Sequence, residues 1–462
     1  MFDAKIYAKR RDLLRRTLGS GVALFLGNEE SPMNYVDNAY HFRQDSSFLY
    51  FFGLDSPGLA AVVDADGGRD ILFGDDVGIE DIIWTGVLPT MKERASEVGV
   101  LETRPSAALA AFLQEASGKG RPIHHLPAYR GEHFLKLEKL LGLKPAEAKA
   151  KVSVDFVRAV IAQRSIKSDG EVAEMETALK TTARMYESAM RMAQPGVHEQ
   201  DIAGRIEGIA VAGGGAIAFP IILTINGQIF HNHGHVNKLA KGRMLVVDAG
   251  AESPLHYASD ITRSIPVGGK FTPRQREIYD IVLAANETAI KAIKPGIPYK
   301  EIHLLAARTI VEGLKAAGLM KGDTDEAVSQ GVHALFFPHG LGHMIGLDVH
   351  DMENLGENNV GYDKSVERSS QFGLAYLRMA KPLQPGFVLT VEPGIYFIPA
   401  LIDKWKAEKK GLDFVAFDKL EKYGSFGGIR IEDNVLVTAT GRRVLGRPIP
   451  KKAEAIEAAA TV

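Results

Sequence analysis

The chain has 462 residues, of which 45% are apolar and 24% are charged. This length is about three times the common domain size, and the composition is that of a globular protein, so we expect two domains and exclude disordered and fibrous classes. Fifty-five Lys and Arg against 57 Asp and Glu leave a net charge of −2. Such a balance excludes generic attraction to nucleic acid or to an anionic membrane.

Cysteine is absent from the sequence. Its absence excludes disulfide scaffolds, thiolate zinc sites and a cysteine nucleophile, and it suits a cytoplasmic location. The basic N-terminal residues precede a short apolar run, Val22 to Leu26, which is too short for the core of a signal peptide. No run approaches the roughly 20 apolar residues that a membrane-spanning helix needs. We therefore expect a cytoplasmic protein that binds neither nucleic acid nor a membrane.

The first 155 residues predict a mixed α/β domain. Short apolar runs bounded by turn residues predict strands at 22–26, 48–52, 60–63 and 71–73, and helical patterns fall around 3–18, 88–98 and 106–116. A longer helix pair begins near Val154, and its second helix opens on a capping box from Ser168 to Glu171. We place the boundaries so that 1–155 and 156–450 are the two domains and 451–462 is a tail.

The second domain predicts two related halves. The segments AMRMAQPGVHEQDI, from position 189, and AIKAIKPGIPYKEI, from position 289, both read as a helix, a Pro-Gly stop and a new helix. Two apolar strands each end in an acid, Asp248 or Glu392, and a later strand in each half supplies a second acid, Asp260 or Glu432. We infer an internal pseudo-two-fold that offers two carboxylates from each half.

A carboxylate at the end of an apolar strand is expensive to bury without a partner. A single such acid is most simply explained by pairing with an arginine or by capping of a turn. Four of them weaken that explanation and indicate metal ions as the compensating charge.

Histidines form two clusters. The segment FFPHGLGHMIGLDVHD holds His339, His343 and His350 among glycines. On a helix the first two would share a face, whereas in a Gly-rich loop the backbone could come close to a ligand. The segment FHNHGH would put three more on one face if it is extended, although surface solvation is the default for at least two of them: His231, His233 and His235.

Signatures of other enzyme classes are missing. No GxGxxG follows a strand, and no GxxxxGK[ST] occurs. A serine nucleophile elbow is also absent, because YGSFG lacks the glycine two residues before its serine. The sequence therefore gives no indication of dinucleotide, nucleoside triphosphate or serine hydrolase chemistry.

Four blocks in order, VVDAGAESPLHYASDITRS, PHGLGHMIGLDVHD, TVEPGIY and GGIRIEDN, resemble the metal-site blocks of the pita-bread metallopeptidases that cleave before proline, Xaa-Pro aminopeptidase and prolidase. FRQDSSFLYFFGLDSPG, from Phe42, resembles their N-terminal domain. The resemblance implies a C-terminal pita-bread domain after the α/β domain. It also implies five metal ligands: Asp248, Asp260, His343, Glu392 and Glu432. Catalytic roles are implied for His231, His339, His350 and Arg430.

The implied ligand set carries a charge of about −4, which matches two divalent cations. Oxygen-rich ligation favours Mn²⁺, with Co²⁺, Zn²⁺ or Fe²⁺ as alternatives. Two such ions can share a water, lower its pKa and polarise the scissile carbonyl. His231 or His350 would then stabilise the oxyanion or shuttle a proton. The expected substrates are peptides with proline in second position, cleaved by a homo-oligomeric enzyme.

Three alternatives stay open. Non-enzymatic pita-bread modules have lost the ligands, whereas all five positions are filled here, and creatinase-like hydrolysis works without this complete set. The third alternative, prolidase, is nearly equal to Xaa-Pro aminopeptidase, which we place first because of the FRQDSSFLYFFG block. Arg378 resembles the arginine by which prolidases hold a dipeptide carboxylate, and the stretch from 398 to 433 resembles a prolidase insertion.

Overall fold

The computed structural model describes residues 1–232 and 234–460, so His233 lies outside the described residues. The chain divides into two compact units. The first comprises Met1–Arg164 with the short segment Glu353–Asn359, and the second comprises Ser165–Met352 with the described residues from Val360 onward.

The first unit contains a five-stranded mixed sheet. Its strands are β1 (Val22–Leu26), β2 (Ala60–Asp64), β3 (Arg69–Phe73), β4 (Glu102–Arg104) and β5 (Ile123–His125). They are ordered β4-β3-β2-β1-β5, with the central three antiparallel and each edge strand parallel to its neighbour. Its helices are α1 (Ala4–Leu18), α2 (Ser46–Phe52), α3 (Ile79–Thr85), α4 (Met91–Glu97), α5 (Ala108–Gly118), α6 (Gly131–Leu141), α7 (Pro145–Ala150) and α8 (Val154–Ser165).

The strands predicted at 22–26, 60–63 and 71–73 are confirmed as β1, β2 and β3. The strand predicted at 48–52 is wrong, because this segment is helix α2. Asp45 caps the helix by accepting a hydrogen bond from the Phe48 amide at 2.9 Å, and Gly53 ends it in a left-handed conformation. Every residue of α2 is buried, so its apolar run shows no helical periodicity to tell it from a buried strand.

The described part of the second unit contains three small antiparallel sheets. Their strands are β6 (Ile222–Thr224), β7 (Met244–Ala249), β8 (Ile261–Pro266), β9 (Val388–Val391), β10 (Gly394–Tyr396), β11 (Gly428–Arg430), β12 (Asp433–Val437) and β13 (Arg442–Val444). The sheets are ordered β6-β7-β8, β13-β12-β9 and β10-β11. The helices are α9 (Asp169–Met192), α10 (Glu199–Ala212), α11 (Pro273–Ala292), α12 (Tyr299–Ala316), α13 (Thr324–Ser329), α15 (Pro399–Ala407), α16 (Phe417–Leu420) and α17 (Ala453–Ala459). Helix α14 (Glu357–Val360) begins in the Glu353–Asn359 segment of the first unit.

The predicted repeat of helices is present. Helix α9 gives way to α10 through Pro195-Gly196, and α11 gives way to α12 through Pro295-Gly296. The capping box from Ser168 to Glu171 starts α9 as expected. No helix among residues 1–232 and 234–460 combines the length and apolarity needed to cross a bilayer.

Candidate active site

A cavity of about 700 Å³ opens in the second unit. The ten residues to which the sequence assigns a metal-binding, catalytic or substrate-binding role all line it: His231, Asp248, Asp260, His339, His343, His350, Arg378, Glu392, Arg430 and Glu432. Aromatic and aliphatic side chains form other parts of its wall, including Phe219, Phe230, Phe372, Tyr376 and Leu401. The cavity is large enough for a small peptide, and it combines apolar walls with a few charged groups, as ligand sites commonly do.

The four acids stand at strand ends that lie next to one another. Asp248 is in β7, and Asp260 directly precedes β8, its antiparallel neighbour. Glu392 directly follows β9, and Glu432 directly precedes β12, the strand paired with β9. The amide of Asn286, on α11, donates to the carbonyls of Val391 and Ile431, which precede these two glutamates. The backbone thus fixes the positions of all four carboxylates.

The cluster has the composition of a cation site. Oxygens of Asp260 and Glu432 and a ring nitrogen of His343 lie within 4.8 Å of one another. One buried oxygen each of Asp248, Asp260 and Glu432 has no hydrogen-bond partner. Buried acceptors of this kind are costly unless they bind a donor or a cation. The residues present therefore fit divalent metal ions.

Burial also makes the charged forms of these acids unfavourable in the absence of a cation. Burial raises the pKa of Asp260 well above its usual value, and the neighbouring Asp248 raises it further. Burial and the neighbouring acids act the same way on the pKa of Glu432, and burial raises that of Glu392 to about 7. A bound cation would reverse this, because it stabilises the ionised carboxylates.

His343 is oriented as a ligand. Its Nδ1 lies 3.0 Å from the carbonyl of Met344, which makes Nδ1 the protonated nitrogen and donor. Nε2 then carries the lone pair, and it lies 3.4 Å from Asp260 Oδ2 and 3.7 Å from Glu392 Oε1. A backbone carbonyl that fixes the tautomer of a histidine is a common arrangement behind metal ligands.

A hydrogen-bonded network joins His339 to Asp248. Arg430 donates to Asp248 through Nη2 and to the Tyr396 hydroxyl through Nη1, the latter at 2.9 Å. His339 Nδ1 donates to the Gly340 carbonyl at 2.8 Å, so its Nε2 accepts from the Tyr396 hydroxyl at 2.9 Å. Burial lowers the pKa of His339 to about 3 and raises that of Tyr396 to about 12, so both groups are neutral near pH 7.

Tyr396 is a site residue that the sequence analysis did not single out. It ends the TVEPGIY block, which was its only signal. Its ring packs edge-on against Phe230 at 4.5 Å between centroids, and Phe230 lines the cavity beside His231. Tyr396 therefore connects the apolar wall with the charged network.

His231 belongs to a loop that Glu199 holds. The buried carboxylate of Glu199, the first residue of α10, accepts from the Ile225 amide at 2.7 Å and from the Asn237 side chain at 2.9 Å. Burial lowers the pKa of His231, and the guanidinium groups of Arg430 and Arg378 lower it further. His235, from the same predicted cluster, instead contacts the Leu223 carbonyl and is not part of the cavity wall.

The segment that carries His339, His343 and His350 is a loop rather than a helix. Its glycines serve close packing: a Cβ on Gly342 would lie 2.1 Å from the Thr390 carbonyl oxygen of β9. The ring of His350 lies edge-on to that of His343 with 4.3 Å between centroids. The loop thus places a candidate metal ligand, His343, beside a residue that is a candidate for substrate contact, His350.

Family models match both parts of the chain. The model described as metallopeptidase family M24 matches residues 173–439, which include every residue of the cluster. The chain belongs to this family. A second model, the aminopeptidase P N-terminal domain, matches residues 7–124.

Curated relatives carry names from both proline-specific activities. A human Xaa-Pro dipeptidase is 31% identical over 457 residues, covering 95% of this chain and 88% of that protein. A protein from Paracoccidioides brasiliensis, named "Probable Xaa-Pro aminopeptidase", is 31% identical over 481 residues, covering 100% of this chain and 97% of its own. The prediction of an Xaa-Pro metallo-exopeptidase is confirmed at this level.

Solved structures of aminopeptidase P match the whole chain. Escherichia coli aminopeptidase P, solved zinc-substituted with product and also with the inhibitor Pro-Leu, gives a TM-score of 0.81 at 30% identity, covering 100% of this chain and 98% of that one. Pseudomonas aeruginosa aminopeptidase PepP gives the same TM-score and coverage at 28% identity. The predicted fold, an α/β domain followed by a pita-bread domain, is confirmed.

Proposed function

We propose that the chain is a dinuclear metal-dependent Xaa-Pro aminopeptidase, which removes the N-terminal residue from peptides whose second residue is proline. The observation that carries this proposal is the convergence of four carboxylates, three of them buried, and His343 Nε2 on one cavity. Their joint charge matches two divalent ions. Mn²⁺ is the proposed native metal because the ligands are mostly oxygen, with Co²⁺, Zn²⁺ or Fe²⁺ as alternatives.

When bound, the ions would supply an activated water and polarise the scissile carbonyl. The protein's own residues would orient the reactants. Arg430 fixes Asp248 through a charge-assisted hydrogen bond, and Tyr396 keeps His339 in a single tautomer. His231 and His350 line the same cavity and would donate to the developing oxyanion or carry a proton to the proline nitrogen.

Proline specificity follows from the chemistry of the bond. The nitrogen that proline contributes to the scissile bond carries no hydrogen, so a site selective for it cannot rely on an N–H donor. Apolar side chains such as Phe230 offer contact surface for the pyrrolidine ring. Selectivity for proline would then come from shape rather than from a hydrogen bond to the peptide.

An Xaa-Pro dipeptidase is the second candidate, and the location of Arg378 favours it. The residue lines the same cavity, and its guanidinium is close enough to lower the pKa of His231 and of His339. A guanidinium there could bind the carboxylate that immediately follows proline in a dipeptide. The same group would have no carboxylate to bind at that position in a longer peptide.

The test uses the purified protein with Ala-Pro-Ala and Ala-Ala-Ala as substrates. We expect release of alanine from the proline peptide alone, loss of activity in chelator, and recovery with Mn²⁺ together with about two ions per chain by elemental analysis. Glu392→Ala should be inactive and hold less metal. Fewer than one ion per chain with full activity in chelator would overturn the dinuclear proposal, and equal cleavage of both peptides would overturn the proline specificity.

The cytoplasmic location and the homo-oligomeric state are also proposals. Helix α3 leaves Ile79, Ile83 and Trp84 largely exposed, which is surface that association between copies would cover. Light scattering of the purified protein measures the oligomeric state, and a monomer at micromolar concentration would contradict that proposal.

A further inference from the structure

A fully buried ion pair joins Lys167 to the loop that carries His350. Lys167 Nζ lies 2.9 Å from Asp351 Oδ2, and the two side chains are 1% and 2% exposed. Lys167 stands just before α9, whereas Asp351 is the residue that follows His350. Burial of two opposite charges removes their hydration, so such a pair persists only where its geometry is well fixed.

Further contacts close the loop around Asp351. Its amide donates to the Met344 carbonyl at 2.9 Å, and its Oδ1 accepts from the Asp348 amide at 3.3 Å. A Cβ on Gly346 would lie 2.6 Å from Asp351 Oδ2 and 2.9 Å from the Lys167 Cε, so the loop backbone packs directly on the ion pair. The loop from 344 to 351 is therefore built around the Asp351 carboxylate.

Lys167, the other member of the ion pair, is also held in place by backbone contacts. The Lys167 amide donates to the Gly386 carbonyl at 2.9 Å, and Gly386 lies two residues before β9, which leads to Glu392. The Ile345 amide donates to the Val388 carbonyl within β9 at 3.1 Å. Lys167 thus connects the His350 loop to the same strand that delivers a candidate metal ligand.

We propose that Lys167 is a positioning residue for His350: its buried ion pair with Asp351 holds the loop so that the His350 imidazole stays 4.3 Å from the His343 ring. This inference rests on the proposed function, in which His350 contacts the substrate. Lys167 itself does not line the cavity, so it acts only through the loop.

The experiment compares Lys167→Met with wild type. Methionine keeps the length of the side chain and removes the charge. We expect kcat for Ala-Pro-Ala to fall about 10- to 100-fold, since displacements near 1 Å reduce catalysis on that scale, while the metal content of the holoenzyme stays that of wild type. Lys167→Arg restores a cation and should recover most of the rate.

The decisive comparison is made in a His350→Ala background. If Lys167 acts through His350, adding Lys167→Met to His350→Ala should lower kcat by less than about twofold, because the effects of coupled residues are not additive. A general loss of folded enzyme would lower kcat equally in both backgrounds. Lys381→Met is the matched control, since Lys381 lies close to Lys167 but is not paired with Asp351, and it should leave kcat near wild type.

A crystal structure of Lys167→Met provides a readout that does not depend on activity. We expect the His350 imidazole to move by about 1 Å or more. An unmoved His350, an unchanged kcat or equal losses in both backgrounds would each overturn the inference. If Lys167→Met does not fold, Lys167→Met/Asp351→Asn, which removes both charges of the pair, is tested with the same criteria. A wild type that cleaves no Xaa-Pro peptide would instead defeat the proposed function, and the crystal structure would still decide whether Lys167 positions the loop.

Discussion

The hydroxyl of Tyr396 donates to Nε2 of His339 across 2.9 Å. The same oxygen accepts from Arg430, which also holds Asp248, so one phenol connects a candidate catalytic histidine with a candidate metal ligand. Burial raises the pKa of Tyr396 to about 12, and the hydroxyl therefore remains a donor throughout the neutral range. The arrangement fixes His339 as a neutral imidazole with its proton on Nδ1.

Tyr396→Phe should lower kcat about 10- to 100-fold and leave the metal content unchanged. The variant keeps the ring that packs on Phe230 but leaves His339 Nε2 and one Arg430 donor without their shared partner, and hydrogen bonds that involve a charged group contribute about 1.5–3 kcal/mol. Steady-state kinetics and elemental analysis measure both quantities. Tyr423→Phe, which removes a hydroxyl from a ring stacked on Phe397 outside the cavity, is the matched control. Equal losses in both variants would contradict the assignment.

The four acids of the candidate site could be picked out from the sequence because they stand at strand ends in short, ordered blocks. Asp248 and Glu392 are recognisable from the apolar strands that precede them, and no long-range information is needed. The roles of Tyr396, Glu199 and Lys167 were not predicted, because the residues that they contact are distant in sequence. Lys167 and Asp351 are separated by 184 positions, and neither residue type carries a local signal of burial.

The fold was predictable where hydrophobic periodicity was visible. Strands β1 to β3 and helix α9 have clear turn or capping signals, and they occur where expected. Helix α2 was predicted as a strand, because all seven of its residues are buried. A helix with no exposed face shows a continuous apolar run instead of a helical period. The Asp45 cap and Gly53 stop of α2 were the local signals that distinguish it from a strand.

Asp260→Asn should stabilise the protein in chelator and destabilise it in Mn²⁺. Without metal, burial raises the pKa of Asp260 well above its usual value, so the neutral amide should increase the free energy of unfolding by removing the cost of a buried, uncompensated acid. With metal at 100 times its dissociation constant the wild type gains about 2.7 kcal/mol, and the variant gains less because a ligand is missing. Urea unfolding of wild type and variant, each in chelator and in Mn²⁺, measures the four free energies of unfolding. Destabilisation in both conditions would show that Asp260 is structural.

Stability should fall as the pH is lowered from about 6.5 to about 4, in part because of His333. Burial lowers the pKa of this histidine to about 4, and its ring packs against that of His303, whose pKa burial also lowers. In the unfolded chain the imidazole takes up a proton near pH 6.5, whereas in the folded chain it does so only near pH 4. The contribution of neutral His333 to the free energy of unfolding is thus complete above pH 6.5 and is lost as the pH falls from about 6.5 to about 4.

His333→Gln removes the titrating group and should therefore flatten the profile. Between pH 7 and pH 4 the wild type should lose about 3 kcal/mol more of its free energy of unfolding than the variant does. Urea unfolding at a series of pH values measures the difference. His41→Gln, at an exposed position, is the control and should follow the wild-type profile. Parallel profiles for wild type and His333→Gln would contradict the prediction.

Arg378 decides between the two candidate activities, and Ala-Pro and Ala-Pro-Ala are the substrates that test it. Ala-Pro carries a carboxylate directly after proline, which a guanidinium can bind through two hydrogen bonds, whereas Ala-Pro-Ala carries an amide there. If Arg378 binds that carboxylate, Arg378→Ala should lower kcat/KM for Ala-Pro about 10- to 100-fold, since a charge-assisted pair contributes about 1.5–3 kcal/mol, and leave Ala-Pro-Ala nearly unchanged.

The controls separate this role from a general effect of charge. Arg378→Lys keeps the charge but not the planar fork, so it should fall between wild type and Arg378→Ala on Ala-Pro. Arg368, in the same segment, lies over the Tyr362 ring and outside the cavity wall, so Arg368→Ala should affect neither substrate. A wild type that prefers Ala-Pro, with a loss in Arg378→Ala confined to that substrate, supports the dipeptidase. A wild type that prefers Ala-Pro-Ala, with equal and small effects of Arg378→Ala on both substrates, supports the aminopeptidase. The argument for a dipeptidase would then be removed, because the guanidinium would make no contact that depends on where the peptide ends.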